Sequence, residues 1–151
     1  MPIEKTLILL KPDAVQRAIA GEIVSRFEKK GLKIVGMKLI NVSKELAHTH
    51  YSEHKEKPFF PGLVDFITAG PTLSLVVEGD NAIAVIRRLV GATNPQNADP
   101  GTIRHDFGMV TGRNLIHASD SAASATREIA LFFKKDEIIE YELVHEKWVY
   151  E

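Results

Sequence analysis

The order in which apolar segments recur along this chain limits its fold more than any other feature. Thr6 to Leu10 is a continuous apolar run stopped by Lys11-Pro12-Asp13, the pattern of a buried strand ended by proline. Ile23, Val24 and Phe27 then mark one helix face closing at Gly31, and Lys33 to Val42 is rich in strand formers. Ser43 is placed to cap a helix carrying Leu46, Ala47, His50, Tyr51 and His54, and Pro58-Phe59-Phe60-Pro61 separates it from a second short helix ending near Gly70. Thr72 to Val77 predicts a strand, and Asp80 to Val90 predicts a helix with Ile83, Ile86, Leu89 and Val90 inward, closed by Gly91. Leu115-Ile116 is a very short apolar segment. Ser119-Asp120-Ser121 then caps a helix bearing Ala122, Ala125, Ile129, Phe132 and Phe133, which puts His117 in a strand-to-helix turn. The sequence therefore predicts an α+β, ferredoxin-like split βαβ fold: an antiparallel sheet covered by helices, with an inserted helical hairpin. Gly91 to Gly112 reads as a long loop, and the tail from Lys134 to Glu151 reads as a wrap around the outside or a neighbouring subunit.

At 151 residues the chain is expected to form one domain, residues 1–151, with a core that needs no staples. Nineteen Lys and Arg against twenty Asp and Glu leave a net charge of −1, which excludes a broadly basic nucleic-acid surface. The positive charge is unevenly spread: Arg87 to Arg113 holds four of the seven arginines, no lysine and two acids. With no cysteine, disulfides, thiolate metal sites and a cysteine nucleophile are ruled out. The first residues lack a signal-peptide layout and the longest apolar run is too short to cross a bilayer. The expectation is a soluble cytoplasmic protein.

Several residues are candidates for chemistry. His117, ahead of a helix start with free N–H groups and a positive dipole end, is placed for phosphate chemistry, but a surface loop histidine fits the same position. Glu128, further along that helix, is a candidate to orient an imidazole with Ser119 tying it down, and a solvated helix residue is the alternative. Arg87 and Arg104 suit the oxygens of a di- or triphosphate, with Thr93 adding a hydroxyl, whereas exposed guanidiniums fit equally; Arg88 and Arg113 read as structural or exposed. His48, His50 and His54 read as a partly solvated helix face rather than a metal set. Of Phe59 and Phe60, one ring fits the core and the other a stacking platform for a base. Walker, Rossmann and nucleophile-elbow motifs are absent from the sequence.

Taken together, four stretches resemble nucleoside diphosphate kinases. Asn114-Leu115-Ile116-His117-Ala118-Ser119-Asp120 resembles that family's N-x-x-H-G-S-D active-site motif. Thr6 to Asp13, Tyr51 to Gly62 and Thr93 to Phe107 agree with it in order, and the likeness runs from Thr6 to Glu151. The resemblance implies that His117 accepts the γ-phosphoryl group of a nucleoside triphosphate and passes it to a diphosphate in a ping-pong cycle with broad base tolerance. It further implies that Lys11 and Asn114 meet the ribose hydroxyls and the transferring phosphoryl. Arg87, Thr93 and Arg104 would hold the phosphates, Phe59 would stack on the base, and Tyr51 would line the pocket. Glu128 with Ser119 would position the ring. Mg²⁺ bound through the nucleotide phosphates and no protein metal cage, nucleoside di- and triphosphates as partners, and a homo-oligomer, a hexamer favoured, are implied as well.

Ala118 stands where the motif has Gly, His105 replaces a common Gly, and Lys57 stands where many members have Arg. These departures motivate a second reading, a catalytically impaired nucleotide-binding module. A ferredoxin-like regulatory or single-strand-binding module is the third, resting on fold analogy.

Overall fold

The computed structural model describes residues 2–151. Four strands, β1 (Ile3–Leu10), β2 (Lys33–Ile40), β3 (Thr72–Asp80) and β4 (Ile116–Ala118), form one sheet in the order β2-β3-β1-β4. Every neighbouring pair is antiparallel. The split βαβ arrangement follows: β1 and β2 run in the same direction with β3 between them.

β1 is central, and its unbroken apolar run now has a cause. Its even residues Ile8 and Leu10 face a core with Ile23, Phe27, Leu75, Val77, Ile86 and Ile116, built under α2 (Ala20–Lys30) and α5 (Ala82–Val90). Leu7 and Leu9 face the other way, toward Val35, Ala47, Tyr51, Val64, Val76 and Phe132 beneath the hairpin of α3 (Lys44–His50) and α4 (Phe60–Ile67) and beneath α7 (Ala122–Phe132). A strand covered on both faces reads as continuous rather than alternating hydrophobicity. The short α1 (Pro12–Gln16) follows β1 at once, with Pro12 at its first position.

The caps at Gly31, Ser43 and Ser121 fall where expected; Gly31 is left-handed, and both serine side chains accept helix N–H groups. Four placements differ. β3 runs on to Asp80, and α5 starts at Ala82 after a left-handed Asn81. The segment from Gly91 to Gly112 is no open loop: it holds a 3₁₀ turn at Pro95–Asn97 and a short helix, α6 (Ile103–Phe107), capped by Thr102. His117 lies in the middle of β4, opposite Leu9, rather than in a turn. His50 is buried, not solvated. Among the described residues no helix is long and apolar enough to cross a membrane.

The tail packs back on its own chain. The Ile139 N–H donates to the Val35 carbonyl, the Tyr141 hydroxyl to Ile34, and the Tyr150 hydroxyl accepts from the Asp80 N–H. Gly31, at φ +103, leaves room there: a Cβ would come within 2.6 Å of Val149 Cγ1.

Candidate active site

Alternation along β4 sends Ile116 and Ala118 into the core under α2 and α5, and His117 to the opposite face. There its Nε2 lies 2.8 Å from Glu128 Oε1, on a buried side chain of α7. Ser119 Oγ donates to the same oxygen at 2.7 Å. A carboxylate only accepts, so Nε2 carries the proton and the lone pair is left on Nδ1. Burial alone would raise the Glu128 carboxyl, but the hydrogen bonds and charge of His117 together with the Ser119 hydroxyl outweigh it and hold the group well below the usual carboxylate range.

Asn114 Oδ1 accepts from Lys11 Nζ at 3.0 Å, and Asn114 Nδ2 donates to the Thr93 carbonyl at 3.1 Å. Lys11 is thus held at the end of β1, beside the turn that leads into β4. Burial, reinforced by the Arg104 charge and only partly offset by Asp13, lowers its ammonium to about 8. Arg104 is buried in α6; its Nε donates to Asn114 O (3.2 Å), Nη1 to Gly91 O (3.2 Å) and Nη2 to Ile116 O (2.6 Å). Three of the five guanidinium N–H groups are therefore anchored to backbone, which fixes the plane of the fork. Burial and the nearby Arg87 lower its pKa to about 10, so it remains cationic at neutral pH. Arg87 reaches from α5 to the Ala118 carbonyl at 3.2 Å.

Tyr51 ends α3 with its ring 4.7 Å from that of His50, and burial, aided by Glu128, raises its hydroxyl to about 12, keeping it a neutral donor. Phe59 stands apart, 52% exposed, with its ring 5.6 Å from His54, while Phe60 packs partly against the core. The structure brings Lys11, Asn114, Thr93, Arg104 and Arg87 together around the ends of β1 and β4, and His117, Glu128 and Ser119 beside them. Phe59 is not in contact with either group.

Two residues were missed by sequence reasoning. His50 is 4% exposed, has no hydrogen-bond partner at either ring nitrogen, and meets the His117 ring edge-on at 4.8 Å between centroids. Leaving such a group unpartnered costs about 1–3 kcal/mol. Its spacing from Ala47, three residues earlier on the apolar face of α3, was the available signal. Asp13 Oδ2 accepts the N–H of Leu115 at 3.1 Å. Leu115 is buried with φ +74, a conformation that a Leu adopts only when its surroundings impose it. No pattern in the sequence marks that role.

The departures from the motif leave the geometry intact. Ala118 has no left-handed backbone and its side chain lies in the core, so its Cβ meets no conformational barrier. His105 is on α6, where a side chain favours the helix over Gly, and its Nδ1 lies 3.0 Å from the Ala98 carbonyl.

The family model described as nucleoside diphosphate kinase matches residues 4–138. The nucleoside diphosphate kinase of Archaeoglobus fulgidus is 58% identical over 149 residues, covering 99% of this chain and 99% of that protein. That of Macrococcus caseolyticus is 59% identical over 148 residues, covering 98% of this chain and all of the relative (100%). Among solved structures, a halophilic nucleoside diphosphate kinase from Halobacterium salinarum in complex with CDP superposes with a TM-score of 0.96 at 52% identity, covering 98% of this chain and 99% of that one.

Proposed function

The chain belongs to the nucleoside diphosphate kinase family and is a phosphotransferase, and on that premise we propose that it works by a ping-pong cycle through a phosphohistidine on His117. One observation carries this reading: the hydrogen bond from Nε2 to Glu128, with Ser119 on the same oxygen, leaves the Nδ1 lone pair unengaged. In the first half-reaction Nδ1 attacks the γ-phosphorus of a nucleoside triphosphate, the Nδ1–P bond forms, and the P–O bond to the β-phosphate breaks with its electron pair going to the leaving diphosphate. The imidazolium charge that develops is balanced by Glu128. In the second half-reaction a terminal oxygen of another diphosphate attacks phosphorus and the electron pair of the N–P bond returns to Nδ1.

Such transfer asks for positioning and charge stabilisation. Arg87, Arg104 and the Thr93 hydroxyl hold the phosphates in this proposal, Lys11 and Asn114 meet the ribose hydroxyls and the moving phosphoryl, and Tyr51 lines the pocket. Phe59, exposed and without base-edge donors of its own, offers a stacking face, which accounts for broad base tolerance. The Halobacterium relative's CDP complex favours nucleotides as ligands of this chain.

Kinases of this family use a divalent cation; we take it to be Mg²⁺ carried by the nucleotide, where it neutralises phosphate charge. The one group of three or more His, Asp or Glu side chains close enough to share an ion among the described residues, His50, His117 and Glu128, is imidazole-rich, whereas Mg²⁺ prefers oxygen. We further propose that residues 1–151 act as one domain in the cytoplasm. Homo-oligomerisation, with a hexamer favoured, is proposed too. Its support is exposed Met37 (55%) and Leu39 (62%) on the terminal strand β2, and sedimentation at several concentrations tests it.

Incubation with γ-labelled ATP and Mg²⁺, without acceptor, is expected to give an acid-labile, alkali-stable phosphoprotein that discharges onto any added nucleoside diphosphate. His117→Ala is expected to take up no label. Label retained in that variant sinks the assignment.

A further inference from the structure

His50 is the feature that phosphoryl transfer leaves unexplained. Its imidazole is buried beside the nucleophile, both nitrogens lack partners, and its ring stands at 87° to that of His117. One donor atom from each of His50, His117 and Glu128 lies within 4.8 Å of the other two. We propose that these three side chains form a site for a borderline-soft divalent cation, of which Zn²⁺ is the type, and that its occupation in the absence of nucleotide inhibits the enzyme.

Two imidazoles and one carboxylate are a ligand set that Zn²⁺ takes while keeping a fourth position open. Tetrahedral coordination at about 2.0–2.2 Å needs donors about 3.3 Å apart, a contraction that side-chain rotation supplies. The two neutral rings and the carboxylate together carry one negative charge against the ion's two positive ones. Arg127, 3.6 Å from Glu128 Oε2, opposes the ion, but its side chain is 43% exposed and free to swing outward. The unspent lone pair of His50 is what distinguishes this cluster from an ordinary His–Glu pair. Mg²⁺ is discriminated against by the nitrogen donors.

Inhibition follows from either mode of binding to His117. A cation on Nδ1 occupies the attacking lone pair. A cation on Nε2 displaces the proton shared with Glu128, which leaves the neutral ring protonated on Nδ1. The binding claim stands without nucleotide chemistry, while the inhibition claim rests on the phosphohistidine reading.

Metal-stripped protein without nucleotide is titrated with Zn²⁺ by calorimetry, and with Co²⁺ by visible absorption as a reporter of tetrahedral geometry. One tight equivalent per chain is expected for the wild type and for a His48→Gln/His54→Gln variant, and its loss is expected in both His50→Leu and His50→Phe, with melting curves confirming that each folds. Equal stoichiometry in the wild type and the folded His50 variants, or none in the wild type, overturns the site. Protein loaded with one equivalent of Zn²⁺, desalted and offered labelled ATP with Mg²⁺ is expected to label at least tenfold more slowly, reversibly with chelator. Stoichiometric zinc with an unchanged labelling rate overturns the inhibitory role. Absence of any label in the zinc-free wild type overturns the phosphohistidine reading, while the calorimetric result still decides the site.

Discussion

In the proposed role Lys11 must be charged to attract phosphate, yet the fold penalises its charge: burial first, then Arg104, lower it to about 8. The sign of the pH dependence follows. Free enzyme holds Lys11 cationic at pH 7 and only about a tenth of it at pH 9, whereas an ordinary lysine stays charged until about 10.4. The apparent KM for nucleotide should therefore rise between pH 7 and 9 by up to about tenfold in the wild type, and stay flat over that window in Lys11→Arg, whose guanidinium does not titrate. Stability moves the other way. Between about 8 and 10.5 the unfolded chain binds a proton that the folded one does not, so stability attributable to this group rises with pH. Lys11→Met should be the more stable protein at pH 7, and its Tm advantage should shrink as pH climbs toward 10.5. Ser119 is buried and touches Glu128 rather than the ring, which makes it a positioning residue. Ser119→Ala should lower kcat about tenfold with little change in KM, the size expected for an outer partner of a working group.

The elements divide by how openly the sequence declares them. β1 was legible because burial on both faces writes an unbroken apolar run, and α2, α3 and α7 because Gly31, Ser43 and Ser121 mark their ends. α6 was hidden, since five residues in a Gly- and Pro-rich stretch carry no periodicity. β4 was half legible: Leu115-Ile116 marked a short strand, but three residues are too few for an alternating pattern, so His117 read as part of the turn after it. Most of the side chains that the structure gathers at the ends of β1 and β4 were singled out by their motifs, whereas their supports were not. Only the spacing from Ala47 points to His50 lying inside, and nothing in the sequence tells that Arg104 is pinned by three carbonyls or that Asp13 holds the Leu115 N–H. That last contact fixes the turn from which Asn114 and β4 depart. Asp13→Ala should cost about 1–3 kcal/mol in denaturant unfolding, with Leu115 left strained and its N–H unpaired. Ala118→Gly tests the opposite point: restoring the motif glycine should lower stability by about 0.5–1 kcal/mol, because Gly in a strand loses entropy and a core methyl. It should leave phosphoryl transfer as it was.

At the scale of the whole molecule, a near-neutral chain concentrates cationic side chains where the ends of β1, α5, α6 and β4 meet, and lets acids elsewhere balance them. The tail closes the far side by seating Val149 on Gly31. Gly31→Ala should therefore destabilise the fold by more than the usual helix-end substitution, about 1–2 kcal/mol, since both the left-handed backbone and the Val149 contact oppose a Cβ. Melting in parallel with Val149→Ala separates the two contributions. The sheet order has a consequence in time. Lys11 and Asn114 touch across 103 residues of chain, and Ser119 and Leu7 across 112, so the proposed phosphate-binding end of β1 waits for the last strand to dock. Closing so large a loop is slow. A nascent chain emerging from a ribosome carries Lys11 early but remains catalytically silent until the segment beyond Ser119 has cleared the exit. In refolding experiments nucleotide binding should accordingly appear in the final kinetic phase, after the bulk of the helical signal has recovered.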